Sequence, residues 1–342
     1  MKPIAGRRLV VAWDESQPRT RALGPALGGE SHLIYGGWPG RQVAFLPLRY
    51  LADASRMWRV LRSRHPEALV VISPPTVAPL VGCVWSLVHP CLLVVDCHTA
   101  ALHSPKWGWT LPLHRLLFCR ADTVLVHTEE DEARVSRWGV PALLLPDDLP
   151  DADQADPSLR STSVPRVVVA GSFDRNEPVA LTLAAAALLP DMEVRLTGDV
   201  RRLAPNVRSK APANAVFTGY LSYPQFLGEL LTADVVAAFS TDRHIMNRAA
   251  FEAVGLGRPL VLSDLPGLRA RFGEAAVLCR NEAAAMAQAI RQAHRDGQEL
   301  AKLSQVLRTR LQAQREAALA ELMSMVEMAS AGWSRGRVRS AS

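Results

Sequence analysis

Short apolar runs recur along the whole chain, and segments with helical spacing separate them. Such runs include RRLVVAWD (7–14), ALVVIS (68–73), CLLVVDCHT (91–99), RVVVAGS (166–172) and RPLVLSD (258–264). Runs that are apolar on both faces and alternate with helices are typical of parallel sheets that helices cover on both sides. The pattern predicts an α/β fold with two doubly wound, Rossmann-like domains.

The composition changes between the two halves of the chain. Residues 149–165 are polar, acidic and interrupted by proline, without apolar periodicity, which is typical of a linker. We therefore expect an N-terminal domain at 1–148, a C-terminal domain with terminal helices at 166–331, and a basic tail at 332–342. A chain of 342 residues, 49% of them hydrophobic, is long and apolar enough for two cores.

The charge and the cysteines limit the partners. The formal net charge of +6 favours an anionic partner such as nucleotide phosphates, a nucleic acid or an anionic membrane surface. Nucleic acid is disfavoured because no cluster of aromatic and basic residues accompanies the charge. The five cysteines form no CxxC pair, so we expect free thiols in a reducing cytoplasm, without disulfides or a zinc site.

Two segments resemble membrane or export signals in part. The apolar window 77–95 has about the length of a bilayer span, but His89-Pro90 interrupts it, and proline breaks helices. A buried helix followed by a buried strand is therefore the favoured interpretation. The first sixteen residues contain a five-residue apolar run, which predicts no signal peptide. The expected location is the cytoplasm.

The stretch TDRHIMNRAAFEAVGLGRPLVLSD (241–264) reads as a loop, a helix and a buried strand. The loop follows a predicted strand, so it lies at the carboxyl edge of the sheet, where ligands of such sheets bind. Free N–H groups at a helix start near Asn247 favour an anion. Arg243 and Arg248 could donate to a phosphate, and Glu252 could reach the two hydroxyls of a ribose. The alternatives are a capping or ion-paired Glu252 and a solvated Arg248.

The same stretch resembles the donor-site signature of retaining GT-B-fold glycosyltransferases of the family 4, or group 1, type. In that family a Glu, seven residues and a second Glu precede Ala-x-x-x-Gly-x-Pro and a strand. The second Glu corresponds to Glu252, and Ala253, Gly257 and Pro259 follow in order. The resemblance covers about residues 166–290, and the first half only as architecture. It implies two domains that face each other across a cleft, with C-terminal helices that cross back over the first domain.

The resemblance also assigns roles to residues of the second half. Glu252 would bind the ribose of a UDP- or GDP-linked sugar, and residues 243–248, including Asn247, would hold its diphosphate. Gly171 and Ser172, after the first strand of this domain, would let the backbone approach the phosphates. Tyr220 would lie near the base, with ordinary packing as the alternative.

Two positions depart from the family pattern. His244 stands where the family usually has its first Glu, a residue that contacts the donor sugar, so His244 joins Glu252 among the candidate catalytic residues. The Arg that usually follows the first-strand glycine is absent, and so is a Lys a few residues later. Arg175, Arg243 or Arg248 would supply the missing charge, or the chain is a catalytically silent member.

In the first half, Asp96 and His98 leave the carboxyl end of a buried strand. By the same resemblance, His98 would hydrogen-bond the transferred sugar or orient the acceptor hydroxyl. The alternative is a structural histidine bonded to a backbone carbonyl. Arg19 and Arg21 could meet an acceptor phosphate, but solvated arginines are the favoured interpretation. The histidine spacings match no standard zinc pattern, so no metal is expected.

The implied function is retaining transfer of a sugar from a nucleotide sugar to an acceptor hydroxyl, in the synthesis of cell-envelope polysaccharide or another glycoconjugate. Helix-start N–H groups and arginines would stabilise the leaving diphosphate without a cofactor or divalent metal. The acceptor is expected to be a carbohydrate or a lipid-linked molecule, and peripheral docking on the inner face of a membrane is a hypothesis. The alternatives are a silent scaffold and a nucleotide-sugar epimerase. A nicotinamide dehydrogenase is disfavoured because no GxGxxG motif occurs.

Overall fold

The computed structural model describes four stretches of the chain: 8–15, 17–36, 45–156 and 164–339, with side chains to residue 329. The chain divides into two compact units, one comprising Met1–Asp147 with Gln314–Ser342 and the other Asp148–Ala313. The division falls beside the expected end of the N-terminal domain. The last residues group with the first unit, whereas the sequence analysis placed the terminal helices in the second domain.

The sheet of the first unit has six parallel strands in the order β2-β1-β3-β4-β5-β6. Their bounds are β1 Arg8–Ala12, β2 Glu30–Leu33, β3 Ala68–Ser73, β4 Leu92–Cys97, β5 Thr123–Val126 and β6 Ala142–Leu144. Every residue of β3 and β4 is buried. Burial of both faces explains why these central strands read as continuous apolar runs.

Helices cover both faces of this sheet. Those of the first unit are α1 Pro18–Ala26, α2 Leu46–Arg64, α3 Val77–Val88, α4 Thr99–His103, α5 Pro105–Gly108, α6 Leu111–Phe118 and α7 Glu129–Ser136. One core contains Met57 of α2, Trp85 of α3 and Phe118 of α6. The opposite core contains Leu23 of α1 and Leu322 of the final helix, α14 Gly297–Arg339. The end of the chain therefore packs on the first sheet, as the resemblance implied.

The apolar window 77–95 forms α3 and the first part of β4. The helix ends at His89, which has extended backbone torsions and precedes Pro90. The expected order of a helix followed by a buried strand is observed, but the helix is buried on one side only, with Leu87 and Val88 exposed. Among the described helices, none combines the length and the apolar composition that a bilayer crossing requires.

The sheet of the second unit also has six parallel strands, in the order β12-β11-β10-β7-β8-β9. The strands are β7 Arg166–Val169, β8 Glu193–Thr197, β9 Ala215–Gly219, β10 Val235–Ala238, β11 Leu260–Ser263 and β12 Ala276–Cys279. The helices are α8 Val179–Ala187, α9 Pro205–Ser209, α10 Tyr223–Leu231, α11 Arg248–Gly255, α12 Pro266–Phe272 and α13 Ala283–Arg295. The predicted α/β class with two doubly wound sheets is confirmed.

The strand order of the second sheet reverses at β7, which pairs with β8 on one side and β10 on the other. This is the topological switch point of a doubly wound sheet. Ligands of such sheets bind outside the carboxyl ends of the strands at this point. The loops that follow β7 and β10 are therefore the first place to look for a site.

Part of the predicted linker is ordered on the second unit. Leu149 and Ala155 pack against one of its cores, and Asp151 forms an ion pair with Arg308. The Asp156 N–H donates to the Pro224 carbonyl at 2.9 Å. These contacts tie the start of the segment to the second unit, while residues 157–163 lie outside the described part of the chain.

Candidate functional site

The loops after β7 and β10 are joined by hydrogen bonds. The Thr241 N–H and Oγ1 donate to the Asn176 carbonyl at 2.7 and 3.1 Å, and Asn176 Nδ2 donates to Ser240 Oγ at 3.1 Å. Beneath them, the Ser240 N–H donates to Ser263 Oγ at 2.9 Å and Asn281 Nδ2 donates to the Ser240 carbonyl at 2.8 Å. These bonds fix both loops at the switch point. The sequence analysis did not single out Asn176 or Asn281, although Asn281 follows a strand at this edge.

The carboxylate of Glu177 fills a backbone anion site in the loop after β7. It accepts hydrogen bonds from the Ser172 N–H at 3.0 and 3.1 Å and from the Phe173 N–H at 2.7 Å. Phe173 has a φ of 59°, a left-handed conformation that lets successive N–H groups converge on one anion. Burial raises the pKa of Glu177, and the N–H donors oppose that rise.

Glycine at position 171 leaves room for this carboxylate. A Cβ on Gly171 would lie 2.6 Å from Glu177 Oε2, closer than real contacts allow. The predicted phosphate-binding pair Gly171 and Ser172 lies at the expected strand end, but both N–H groups are bonded within the chain: that of Gly171 to Thr197 Oγ1 at 3.1 Å and that of Ser172 to Glu177. The sequence pattern predicted a phosphate-binding cation in this loop, and Glu177 was not among the predicted site residues.

Two arginines lie at the same loop. Arg175, a predicted phosphate ligand, is exposed. Arg202, which the sequence analysis did not consider, donates through Nη1 to the Ser172 carbonyl at 2.9 Å and pairs through Nη2 with Asp174 Oδ1 at 2.9 Å. Positive charge is thus present here, although the loop sequence contains no lysine.

The start of α11 is capped by its own residues. Asn247 Oδ1 accepts a hydrogen bond from the Ala249 N–H at 3.0 Å, so one of the N–H groups expected to face an anion is already bonded. Just before it, the His244 N–H donates to Asp242 Oδ1 at 3.0 Å. Arg243 is exposed and His244 is half-buried. The predicted residues 243–247 therefore belong to the loop between β10 and α11, and Arg248 is the first residue of the helix.

Glu252 is buried, with 3% of its surface exposed, and forms an ion pair with Arg248. Arg248 Nε donates to Glu252 Oε1 at 3.0 Å, Nη1 donates to Asp148 Oδ1 at 3.1 Å, and Nη2 donates to Tyr223 Oη at 3.3 Å. Burial, and then the charge of Glu252, raise the pKa of Tyr223 to about 12. The alternative of an ion-paired Glu252 is thus observed, and Arg248 is not a solvated residue. A ligand at this acid shares it with Arg248.

Tyr220 lies at the carboxyl end of β9, directly after Gly219, whose φ is 77°. The side chain is 79% exposed. Ordinary packing, the alternative to a ligand role for Tyr220, is therefore not observed. Since β9 is an edge strand, the ring stands two strands away from β7 in the sheet order.

In the first unit, a buried charged cluster joins three strand ends. Arg19 Nε and Nη2 donate to Asp96, at the end of β4, at 2.8 and 3.2 Å, and Nη1 donates to Asp147 Oδ1 at 2.7 Å. Arg19 is only 2% exposed, so the interpretation of Arg19 as a solvated arginine is wrong. Two carboxylates at the sheet edge supply the partners that a buried guanidinium requires. Arg21 is exposed, as expected.

His98 and His127 lie against this cluster with ring centroids 4.7 Å apart. His127 Nε2 is 3.6 Å from Asp96 Oδ1. Burial, followed by the neighbouring His127, lowers the pKa of His98 to about 4, so the imidazole is neutral at pH 7. Burial alone would raise the pKa of Asp96, but Arg19 and His127 hold it well below its usual range. His98 Nε2 is buried without a hydrogen-bond partner in the described part of the chain.

Asp96, His98 and His127 form a group within the described part of the first unit that could hold a cation. One ligand atom of each lies within 4.8 Å of the others. Both oxygens of Asp96 already accept hydrogen bonds from Arg19, so a cation would compete with a guanidinium for this ligand. The geometry therefore favours a neutral His98 that lies next to a carboxylate fixed by Arg19. The absence of a metal stays a prediction.

Two family models match the chain. Each matched range contains the six strands of one sheet. Residues 6–145 match the model described as glycosyl transferase 4-like domain, and residues 164–296 match the model described as glycosyl transferases group 1. Both descriptions concern sugar transfer. No curated protein sequence matches the chain.

Solved structures with the same architecture span nearly the whole chain. Sucrose-phosphate synthase from Thermosynechococcus elongatus aligns with a TM-score of 0.74 and 17% identity over 95% of this chain and 100% of that chain. HepE from Anabaena, in complex with UDP and glucose, aligns with a TM-score of 0.69 and 14% identity over 94% and 99%. A glycosyltransferase from Rickettsia africae aligns with a TM-score of 0.69 and 11% identity over 94% and 98%. At these identities the likeness shows the fold, and the expected GT-B architecture is confirmed.

Proposed function

We propose that this chain, a glycosyltransferase with the GT-B fold, moves a sugar from a UDP- or GDP-linked donor to an acceptor hydroxyl with retention of the anomeric configuration. Two family matches to glycosyltransferase domains support sugar transfer in general. The observation that carries the donor assignment is the buried Glu252 on α11, beside the switch point of the second sheet.

Glu252 would accept hydrogen bonds from the two ribose hydroxyls of the donor. Its carboxylate forms an ion pair with Arg248, whose own position is fixed by Asp148 and Tyr223. An ionised acceptor makes stronger hydrogen bonds than a neutral one. The ion pair therefore prepares the acid for hydroxyl donors, and it also fulfils the pairing that a buried charge requires.

The diphosphate would lie over the turn that precedes α11 and the exposed side chain of Arg243. Developing negative charge on the leaving diphosphate is stabilised where oriented donors are already fixed, since no reorganisation is then required. His244, in the same turn, would contact the donor sugar. These assignments require no cofactor and no divalent metal.

The first unit would supply the acceptor side of the reaction, with His98 as its candidate catalytic residue. A neutral imidazole can accept a proton or hydrogen bond from a hydroxyl, and burial keeps His98 neutral. Asp96 and Arg19 would position the histidine pair from below. We propose a carbohydrate or lipid-linked acceptor, and a role in cell-envelope polysaccharide or glycoconjugate synthesis in the cytoplasm.

A panel of UDP- and GDP-linked sugars, with carbohydrate and lipid-linked acceptors, tests the proposal. We expect transfer of one sugar with an unchanged anomeric configuration, read by NMR of the product. Glu252→Gln should lower kcat/KM roughly tenfold or more, since it removes a charged hydrogen-bond acceptor. Glu274→Gln, at an exposed acid paired with Arg310, is the control and should match the wild type.

A silent scaffold is the second candidate, and Glu177 is the observation that favours it. This acid occupies backbone N–H groups that could otherwise bind a phosphate. Calorimetry with UDP and GDP separates the candidates, because a silent scaffold of this kind binds neither. Conversion of the donor sugar without an acceptor would instead point to the epimerase alternative.

A further inference from the structure

Helix α3 presents an apolar stripe to solvent. Leu80, Val84, Leu87 and Val88 are all exposed, with Leu87 at 70% and Val88 at 63%. Their spacing places them on one side of the helix, whereas Ala78, Gly82 and Trp85 are buried. The helix contains no charged residue. Exposure of such an apolar helix face to water is energetically unfavourable, and it usually marks an interaction site.

Helix α6 and the residue before its first turn continue this stripe. Trp109 is 81% exposed, and Leu113 and Leu116 follow it at helical spacing with 38% and 56% exposure. The two helices are neighbours, since Cys83 Sγ of α3 lies 3.6 Å from the Leu117 carbonyl of α6. Exposed apolar side chains of α3 and α6 therefore belong to one side of the first unit.

Helix α2 extends the same side. Its Trp58 packs edge-on against Trp85 of α3 at a centroid distance of 5.3 Å, and Leu51 on α2 is 68% exposed. All three helices cover the same face of the first sheet. We call their solvent side the α2–α3–α6 face. The apolar side chains on it come from three adjacent helices, whereas the exposed apolar residues of the second unit are scattered over separate elements.

Positive charges outnumber negative ones on and around this face. Residues 45–120 contain the cations Arg49, Arg56, Arg59, Arg62, Arg64, Lys106, Arg115 and Arg120, against three acids. Of these acids, Asp53 and Asp96 are buried at 1% and 0% exposure, and Glu67 is half-buried. Arg49 and Arg56 form ion pairs with Asp53, and Arg64 forms one with Glu30. The α2–α3–α6 face therefore combines apolar side chains with an excess of lysine and arginine.

We propose that the α2–α3–α6 face docks on the surface of a bilayer that contains anionic lipids. Leucine and valine side chains would enter the boundary between headgroups and acyl chains, and Trp109 is of the type that prefers that boundary. The cations around them would bind anionic headgroups. A second copy of the same face is a poorer partner, because pairing would bring like charges together. Docking of this kind is independent of whether the chain transfers a sugar.

Vesicle flotation of the full chain tests the proposal, with phosphatidylcholine alone and phosphatidylcholine mixed with phosphatidylglycerol. The wild type should bind the mixed vesicles, bind the neutral ones more weakly, and dissociate as salt is raised. Leu87→Glu should lower the bound fraction roughly tenfold or more, because a charge enters the apolar boundary poorly. Val306→Glu, at a valine that is 69% exposed on α14, is the matched control and should bind as the wild type does.

Three results would overturn the proposal: no binding to either vesicle, equal loss in both variants, or a dimer of the wild type that Leu87→Glu converts to a monomer without any vesicle binding. Arg115→Gln with Arg120→Gln provides a second line, and should reduce the salt dependence while leaving the apolar stripe intact. Thermal unfolding shows whether each variant is folded. Calorimetry with UDP and GDP on the same samples reports on donor binding separately.

Discussion

Two acids of the second unit have opposite expected effects on a bound nucleotide: one would attract its hydroxyl groups, and the other would repel its phosphates. Glu252, paired with Arg248, is a charged acceptor suited to hydroxyl groups. Glu177, bonded to the Ser172 and Phe173 N–H groups, places a negative charge where the backbone would otherwise favour an anion. The balance between these two acids should set the affinity for a nucleoside diphosphate.

Glu177→Gln is expected to raise the affinity for UDP or GDP several-fold, because like charges repel at short range. The pKa of Glu177 is raised, so lowering the pH should neutralise this group before an ordinary glutamate. The affinity of the wild type should therefore increase relative to the variant as the pH falls. Calorimetry of both proteins over a pH series measures the difference. Equal affinities at every pH would show that phosphate does not approach this loop.

Arg19→Met should destabilise the first unit by about 3–5 kcal/mol, because it leaves Asp96 buried without its partner. Combining it with Asp96→Asn should restore part of the loss. Denaturant unfolding followed by circular dichroism measures both. A single variant as stable as the wild type would contradict the buried ion pair.

The same pair gives a pH dependence of stability. The folded pKa of Asp96 is depressed, so the pair stabilises the first unit above the usual aspartate range and loses this contribution as the pH falls. Unfolding at a series of acidic pH values should show a smaller decline in the Arg19→Met, Asp96→Asn protein. Parallel declines in both proteins would argue against the linkage.

At the scale of elements, α11 depends on its cap. The helix has eight residues, and Asn247 satisfies one N–H group at its start. Asn247→Ala should cost about 1 kcal/mol, whereas Asn247→Asp should cost little, because aspartate caps as well as asparagine. Urea unfolding of the two variants measures this difference. An aspartate variant as unstable as the alanine variant would exclude the capping role.

Elements were more predictable than contacts. The buried strands β3, β4, β7 and β11 lie within their predicted apolar runs, since burial on both faces leaves a local pattern. Helix α2 begins at Leu46, and Pro47 fits its first turn. Position at a strand end predicted the neighbourhood of Asp96 and Glu252.

Side-chain pairing could not be read from the sequence in the same way. Arg19 meets Asp96 and Asp147, which are 77 and 128 residues away along the chain. Glu177 reaches its N–H groups through a left-handed Phe173, a conformation that side-chain type alone does not predict. Both contacts depend on how loops from separate strands meet at a sheet edge.

At the scale of the whole molecule, the final helix α14 contributes side chains to one core of each unit. Leu307 and Leu311 of α14 lie in a core of the second unit, and Leu322 and Val326 lie in a core of the first. The sequence pattern identified the helix and grouped it with the second domain, and only the family resemblance implied that it crosses back over the first. Periodicity shows that a helix has an apolar side, and it does not show which sheet covers that side.

Leu322→Ala should destabilise the first unit by about 2–5 kcal/mol, because Leu322 is fully buried against its sheet. Hydrogen exchange should show faster opening of β1 and β3, with β7 and β10 protected as in the wild type. Leu311→Ala, at an equally buried leucine of the same helix, is the matched control and should show the reverse pattern. Identical patterns for both variants would contradict the division of the helix between two cores.

The most direct test of donor binding compares UDP and GDP with their 2′,3′-dideoxy counterparts by calorimetry, in the wild type and in Glu252→Gln. If Glu252 holds the ribose hydroxyls, the wild type should bind the better ribonucleotide roughly tenfold or more tightly than its dideoxy form. The variant should lose most of that preference. The same preference in both proteins, or none in the wild type, would contradict the assignment of Glu252 to the ribose.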